Sequence, residues 1–199
     1  WNPGTEQELF TLDELAKAFS LEHVHKAGAR FDFEKAKWFN HQYLVKLSDS
    51  EIANAFKPIL SEKGVTANDE KIATICGLVK DRVNFVKEIW DQASFFFIAP
   101  DSYDAEAIKK RWKPETPALL NGAKEVIQTI EPFTAQNIHD VLHSYIEKNQ
   151  LNMGGVMVPI RIALVGTTKG PDLQVIMELL GKNEVIRRIE KALALIKLP

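Results

Sequence analysis

The sequence predicts an all-α protein, and three observations support this fold class. Capping boxes mark two helix starts, because Thr11 is followed by Glu14 and Ser48 by Glu51 at the spacing that satisfies the first free backbone N–H groups. Apolar residues then recur at helical spacing along most of the chain. Only one segment has the composition of a strand, and no second segment is suited to pair with it.

The capping signals and the apolar stripes together place the expected helices along the chain. In the first half of the chain, helices are expected after Thr11, over 33–44 with Asp32 as the cap, from Ser48 to near Gly64, after Asn68 and over about 86–97. In the second half they are expected over 104–111, 116–130, 134–148, 172–180 and 184–197. Gly181 is the expected stop of the helix over 172–180.

The exceptional segment is 156–165, which is rich in β-branched residues and bounded by Gly155 and Gly166. Intrinsic propensity therefore favours a strand. A single strand cannot satisfy its own backbone hydrogen bonds, and proline is well suited to the first turn of a helix. We therefore predict a buried helix that begins near Pro159, with a strand as the alternative.

Composition restricts the class of protein. With 45% hydrophobic and 26% charged residues, the 199-residue chain is expected to fold, and no apolar run approaches the roughly 20 residues of a membrane-spanning helix. The single cysteine, Cys76, lies on an apolar stripe, so it is expected to pack in the core. One cysteine cannot form an internal disulfide, which is typical of the reducing cytoplasm and predicts a cytoplasmic protein. The first residue is not Met, which suggests a fragment or a processed start, and no secretory signal is visible.

Charge alone does not identify a nucleic-acid-binding protein, because the formal net charge is −2. The charge is uneven, however, at −3 over residues 1–100 and +3 over residues 151–199. Breaks in the helical pattern near Ser48 and at residues 99–101 divide the chain into three regions, 1–47, 48–100 and 101–199.

No catalytic constellation is visible in the sequence. His139 and His143 have the i, i+4 spacing of metal ligands, but the adjacent glutamate of a zinc-protease motif and a third ligand are missing, so we predict no metal site. The loop from Gly166 to Gly170 lacks the spacing of a nucleotide phosphate loop. It is either a plain connection or a polar loop in which Lys169 and backbone N–H groups meet RNA.

Cationic residues near an aromatic residue are the main hint of RNA binding. Lys109, Lys110, Arg111 and Lys113 surround Trp112 and are suited to phosphate contacts or to stacking of a base on the indole. The alternative is a solvated helix end in which Trp112 packs over the core, and we expect this packing for Trp112 itself. Arg82 ends a helix, where it either neutralises the helix dipole or offers its two-pronged donor to a base edge.

Three passages resemble the C-terminal half of bacterial glutamyl-tRNA synthetases. They are residues 1–15 (WNPG…ELFTLDEL), residues 28–44 (GARFDFEKAKWFNHQYL), and the series 159–166 (PIRIALVG), 170–173 (GPDL), 177–182 (MELLGK) and 185–193 (VIRRIEKAL). These passages anchor both ends of the chain, whereas residues 100–150 agree only in helical pattern and length.

The resemblance implies an elongated array of helices. A short stem-contact region (1–47) would precede two anticodon-binding domains (48–100 and 101–199). It also implies a parent enzyme that joins glutamate to tRNA(Glu) with ATP and Mg²⁺. The His-Ile-Gly-His-like and Lys-Met-Ser-Lys-like motifs of that activity are absent from this sequence, so the chain alone is expected to bind no cofactor and to be inactive.

The resemblance also assigns roles to individual residues. Arg82 would discriminate the third anticodon base, and the other bases would be read by Arg161 and by the turn that contains Gly170, Pro171 and Leu173. Lys169 adjoins that turn. Gln174 stands where many relatives carry an aromatic residue, so stacking at that position is not expected.

Candidate contacts outside the anticodon site are Asn40 and Tyr43 in the 28–44 motif, and Lys109 and Arg111 in the basic cluster. They are expected to contact the tRNA stem or backbone, and the protein is expected to be a monomer without membrane attachment. The alternative function is a helical scaffold for protein interactions, which the acidic net charge and the numerous polar helix faces would also suit.

Overall fold

The computed structural model describes residues 1, 3–24, 28 and 30–197, and in this part of the chain it contains helices and no strand. The all-α prediction is therefore confirmed. None of the helices there is long and apolar enough to cross a membrane. The α-helices are α1 (Leu12–Ala18), α2 (Phe33–Lys46), α3 (Asp49–Glu62), α4 (Asp69–Val79), α5 (Ile89–Ala93), α6 (Ala105–Arg111), α7 (Thr116–Thr129), α8 (Ala135–Lys148), α9 (Met153–Val165), α10 (Leu173–Leu180) and α11 (Lys182–Leu195).

Helix starts lie where the capping signals place them. Thr11 and Glu14 form a complete capping box before α1, and Ser48 and Glu51 form a second one before α3. The Asn68 side chain accepts a hydrogen bond from the first turn of α4. These starts were predictable because a cap depends on residues only three positions apart.

The expected helix over 86–97 is instead three short elements. A 3₁₀ turn over Val86–Glu88 precedes α5, and a second 3₁₀ turn, Ser94–Phe96, follows it. Phe95 and Phe96 of the second turn are both buried, at 8% and 2% exposed. The expected helix is therefore interrupted on both sides of α5 by short 3₁₀ turns.

The segment 156–165 is helical, so the strand alternative is wrong. Helix α9 begins at Met153, six residues before Pro159, because the Asn152 side chain accepts from the Gly155 N–H and caps the helix there. It ends at Gly166, whose φ of +85° is the left-handed conformation common at helix ends.

One continuous hydrophobic core runs from Leu44 in α2 to Ile196 after α11. Helix α3 packs on α4, α9 packs on α7 and α11, and α10 packs on α8. The core crosses position 100 without interruption, and the boundaries at 47 and 100 stay predictions.

A buried arginine joins the two sides of the 99–101 break. Arg188 in α11 is only 2% exposed, and its Nη1 donates to the carbonyl oxygens of Phe95 (2.7 Å) and Leu164 (2.8 Å). Its Nε donates to Glu184 Oε1 at 2.6 Å. One guanidinium thus ties the second 3₁₀ turn to the last turn of α9.

Three more hydrogen bonds reinforce this junction. Lys191 Nζ donates to the Pro100 carbonyl and to Asp101 Oδ1, both at 2.8 Å. The Asp104 N–H donates to the Gly166 carbonyl at 2.8 Å. The connection between residues 95 and 105 is therefore fixed against α9 and α11.

The N-terminal region is packed much less tightly. Helix α1 has no buried residue, and Leu12, Phe19 and Phe31 are 82%, 51% and 78% exposed. Apolar side chains at this exposure form a surface suited to contact with another protein surface.

Replacement of Arg188 by Ala is expected to lower the free energy of unfolding by about 3 kcal/mol, because two buried carbonyls and a carboxylate lose their donor. Arg187→Ala is the matched control, since Arg187 is 58% exposed and pairs with the same Glu184. Its loss is expected to be about 0.5 kcal/mol or less. Urea unfolding at neutral pH measures both, and equal losses would contradict a special role for the buried guanidinium.

Acid stability is expected to depend on Glu184. Hydrogen bonds from Arg187, and then from Arg188, lower the pKa of the Glu184 carboxyl from 4.5 to about 2. Between these two pH values the unfolded chain binds a proton that the folded chain does not bind, so acidification favours unfolding. The stabilisation is complete above about pH 4.5 and is lost toward pH 2.

The measurement is the urea-unfolding free energy of the wild type and of Glu184→Gln from pH 7 to pH 2.5. The wild-type value is expected to fall more steeply than that of the variant below pH 4.5. Parallel curves would show that Glu184 gains no stabilisation from its charge.

Candidate nucleic-acid interface

Arg82 lies on the surface at the end of the 3₁₀ turn that follows α4. Among the described residues its guanidinium has no hydrogen bond and no ion pair. The backbone just after it is held by α2, because His41 Nδ1 donates to the Val83 carbonyl at 2.8 Å and the Asn40 side chain donates to the Asn84 carbonyl. Arg82 therefore extends from a fixed backbone with its donors available.

Arg161 is half-buried in α9 and supports the loop that follows this helix. Its Nη1 donates to the Pro171 carbonyl at 2.7 Å. Gly170 has a φ of +145°, and a Cβ at this position would lie 3.2 Å from Arg161 Nη1. Glycine is thus favoured by the backbone conformation, and a Cβ would in addition displace the guanidinium by a few tenths of an ångström.

The electrostatics show that the two arginines are close enough to influence each other. Burial lowers the pKa of Arg161, the positive charge of Arg82 lowers it further, and the carboxylate of Asp172 opposes both effects. The two arginines, which are 79 positions apart in the sequence, therefore influence each other through their charges. Such a like-charged pair would attract an acceptor-rich ligand.

The loop between α9 and α10 combines buried anchors with an exposed cation. Pro171 and Leu173 are buried, whereas Lys169 is exposed and its N–H donates to Thr167 Oγ1 at 2.9 Å. Asp172 caps α10 by accepting from two backbone N–H groups. Since the Leu173 side chain is in the core, only the backbone there is available for a ligand.

Asn40 and Tyr43, the candidate stem contacts, both have intramolecular partners. Asn40 binds the Asn84 carbonyl and thereby lies beside the segment of Arg82. The Tyr43 hydroxyl donates to the Phe10 carbonyl at 2.7 Å and accepts from the Phe10 N–H at 3.2 Å. Both side chains thus fix the N-terminal region to the rest of the fold.

Lys109 and Arg111 are exposed on α6, which packs on α9, and in the described part of the chain neither has an ion-pair partner. Trp112, which follows them, is only 2% exposed. Its indole closes the core and is not available for stacking on a base. The cations of the cluster therefore remain phosphate-contact candidates without an aromatic platform.

Within the described residues no three His, Cys, Asp or Glu side chains are grouped so that they could hold a metal ion. In the 166–170 loop, the N–H groups of Gly166 and Lys169 already bond to Ile162 and Thr167. Burial raises the pKa of the Cys76 thiol to about 12, so it is a core residue without nucleophilic character.

The sequence reasoning missed one group beside the loop. His139 and His143 stack with ring centroids 4.0 Å apart, and His139 lines a small cavity together with Asp172 and Gln174. The i, i+4 spacing suggested metal ligands only. Two aromatic rings at this spacing on a helix also stack on each other, which is the signal that would have identified the pair.

The helical scaffold carries an exposed arginine at Arg82 and a buttressed loop with an exposed lysine at Lys169, which are groups suited to contact with RNA. The sequence profile of the anticodon-binding domain family matches residues 51–193, and the chain belongs to this family.

Glutamate–tRNA ligases are among its relatives. The chain is 50% identical to the ligase of Flavobacterium johnsoniae over 194 residues, which cover 98% of this chain and 38% of the relative. It is 46% identical to the ligase of Porphyromonas gingivalis over 196 residues, with 98% and 39% covered. The chain thus spans about two fifths of the length of these relatives and matches their C-terminal part.

A solved structure has the same fold. The crystal structure of a glutamate tRNA ligase from Elizabethkingia meningosepticum in complex with its amino acid superposes with a TM-score of 0.93 and is 47% identical. The match covers 99% of this chain and 39% of that one.

Gly170→Ala is expected to lower the free energy of unfolding by about 2 kcal/mol, because it imposes a disfavoured φ and pushes against Arg161. Gly64→Ala is the control, since Gly64 also has a positive φ (+68°) but a Cβ there meets nothing within 4 Å. Its loss is expected to be about 1 kcal/mol. If urea unfolding gives equal losses, the loop adapts freely around Arg161.

Proposed function

We propose that the chain is the tRNA-binding, anticodon-recognising region of a glutamate–tRNA ligase, with tRNA(Glu) as its partner. The observation that carries the proposal is the match of residues 51–193 to the anticodon-binding domain family, and this range includes Arg82 and Arg161, which the family resemblance assigns to anticodon reading. Membership of the anticodon-binding family and about 50% identity to glutamate–tRNA ligases support it.

Arg82 is the proposed reader of the third anticodon base. Its exposed guanidinium can donate two parallel hydrogen bonds to the O2/N3 edge of an unpaired cytosine. A guanine at the same position would present the N–H groups of its Watson–Crick edge to the N–H groups of the guanidinium, so it is rejected. Because α2 fixes the backbone after Arg82, the side chain approaches the base from a defined origin.

Arg161 and the loop are the proposed second reading element. One guanidinium nitrogen holds the Pro171 carbonyl, and the remaining N–H donors can reach a base or a phosphate. Gly170 allows the RNA to approach the backbone, and Lys169 is exposed beside it. Lys109 and Arg111 are proposed to contact phosphates, which adds affinity without base preference.

Catalysis is proposed to lie in a part of the ligase outside this chain. The reaction needs ATP and Mg²⁺, and the sequence contains neither of the two motifs that family members use for it. We propose that the chain alone binds tRNA as a monomer in the cytoplasm and forms no glutamyl-adenylate.

The direct test is electrophoretic retardation of a tRNA(Glu) transcript by the chain over a range of salt concentrations. Binding is expected to weaken steeply as salt rises, because phosphate contacts release counterions. Absence of retardation at micromolar protein and low salt would contradict the proposal.

Arg82→Ala is expected to reduce the preference for a cytosine over a guanine at the third anticodon position by about tenfold, since the base-reading donor is lost. Two transcripts that differ only at this base measure the preference. Arg187→Ala removes an exposed cation on α11 and is expected to leave the preference unchanged. An unchanged preference in Arg82→Ala would exclude Arg82 from this role.

A second candidate function, protein contact, is favoured by the N-terminal region. Residues 1–24 carry five acidic residues and one lysine, and Leu12 and Phe19 are largely exposed nearby. An acidic, apolar surface repels phosphate and suits a protein partner. Pull-down from lysate separates the candidates, because a dominant partner that persists after RNase treatment would favour the scaffold.

A further inference from the structure

The chain between Arg82 and the next helical turn cannot satisfy its own backbone. Val83 and Phe85 are extended, with φ/ψ of −129°/149° and −133°/146°, so residues 83–85 lie outside the 3₁₀ turns on either side. Polar backbone groups in such a segment need partners from elsewhere in the molecule or from water. The partners that they find decide how firmly the preceding arginine is held.

Three side chains supply these partners. Helix α2 provides two of them, because His41 Nδ1 donates to the Val83 carbonyl at 2.8 Å and the following carbonyl accepts from the side chain one position earlier in α2. That second bond runs from Asn40 to the Asn84 carbonyl. From the other side, Glu88 Oε2 accepts from the Asn84 N–H at 2.8 Å. A carbonyl only accepts, so His41 carries a proton on Nδ1.

The chain before Arg82 is fixed as well. Lys80 Nζ donates to Asp49 Oδ1 of α3 at 2.8 Å, and the Val83 side chain is 2% exposed in the core. The Arg82 side chain, between these two anchors, is exposed. An exposed guanidinium on a backbone that is held on both sides loses little conformational freedom in the backbone when it binds a ligand, so it is preorganised.

The two bonds from α2 are the anchors that reach furthest along the chain. They join residues 42 and 44 positions apart, whereas Lys80 and Asp49 form a partly exposed ion pair, a kind of contact that contributes little. Loss of a donor to a partly buried carbonyl costs more than loss of such a pair. The Asn40 amide is already committed to a carbonyl, so it suits holding the turn better than contact with a tRNA stem.

We propose that Asn40 and His41 are positioning residues for base recognition by Arg82. They act through the backbone of residues 83–84 and touch no base themselves. Two parallel hydrogen bonds to a base edge weaken steeply when the guanidinium is misaligned, so the anchors affect which base is preferred. The inference rests on the proposed function and deepens it, because base preference then depends on a helix of the region 1–47.

The test measures binding of the whole chain to a tRNA(Glu) anticodon stem-loop with cytosine or guanine at the third anticodon position. Asn40→Ala and His41→Ala are each expected to lower the preference for cytosine about fivefold, because each leaves a backbone carbonyl without its donor. His41→Asn places a side-chain N–H where Nδ1 was, and it is expected to stay within about twofold of the wild type. The stem-loop lacks the acceptor stem, so a contact of Asn40 with that stem would leave this measurement unchanged.

Asn54→Ala is the matched control. Asn54 is an exposed asparagine whose Oδ1 accepts from Lys57 on its own helix at 3.1 Å, so its variant removes the same atoms without touching the Arg82 turn. Its preference is expected to equal that of the wild type. Asn40 is exposed too, so its variant is expected to fold even if His41→Ala is unstable.

A double-variant comparison separates positioning from an independent effect. In an Arg82→Ala background, Asn40→Ala is expected to cause no further loss of preference, because the group that it positions is already missing. A further loss of the same size in that background, or a wild-type preference in both Asn40→Ala and His41→Ala, would show that α2 does not position the reader.

These outcomes are distinct from failure of the proposed function. If Arg82→Ala loses base preference while Asn40→Ala and His41→Ala keep it, the positioning role is wrong and anticodon recognition stands. If the wild type does not bind the stem-loop, or if it binds the cytosine and guanine forms equally, both are wrong.

Discussion

The guanidinium of Arg188 is the interaction on which the arrangement of the candidate site depends. It donates to the carbonyls of Phe95 and Leu164, one on each side of the 99–101 break, and it is almost fully buried. Residue 95 follows the region that carries Arg82, and α9 carries Arg161. Because a buried charge that loses its partners is costly, relative movement of the two regions would expose or strand this group. The two regions that carry the candidate reading arginines are therefore joined, in addition to the shared core, by a buried side chain that binds backbone on both sides of the break.

Because Arg188 fixes the two regions, Arg82 and Arg161 keep their positions even when no ligand is bound. Burial lowers the pKa of Arg161, and repulsion from the positive charge of Arg82 makes a smaller contribution in the same direction. Asp172 partly offsets the repulsion, and the bond from Arg161 to the Pro171 carbonyl holds one of the two guanidinium groups in place. Arg82 is exposed, so the positive potential that remains faces the solvent at this residue. An acceptor-rich base edge or a phosphate would relieve the repulsion, so binding energy is stored in the unbound arrangement.

Local signals in the sequence predict most of the fold and little of the site. The caps at Thr11, Ser48 and Asn68 involve neighbours in the chain, and so does the argument that a lone strand at 156–165 could not pair. Burial of Arg188 and the second 3₁₀ turn depend on partners far apart in sequence, and no periodicity reveals them. For the site, the family resemblance supplied Arg82 and Arg161. It could not supply the contact between Arg161 and the Pro171 carbonyl, because that contact follows from the conformation of the loop between α9 and α10.

The net charge of −2 is compatible with RNA binding because charge acts locally. At physiological salt, exposed charges more than about 8 Å apart are largely screened from each other. An RNA loop at the candidate site therefore responds to Arg82, Arg161 and Lys169, and the acidic residues of the first 24 positions matter only if they lie within that range. The same screening makes the carboxylate of Asp172 the decisive negative group near the loop. Its Oδ1 already accepts from two backbone N–H groups at the start of α10, and its negative charge disfavours a phosphate at this end of the loop, so phosphates are expected nearer the exposed cations.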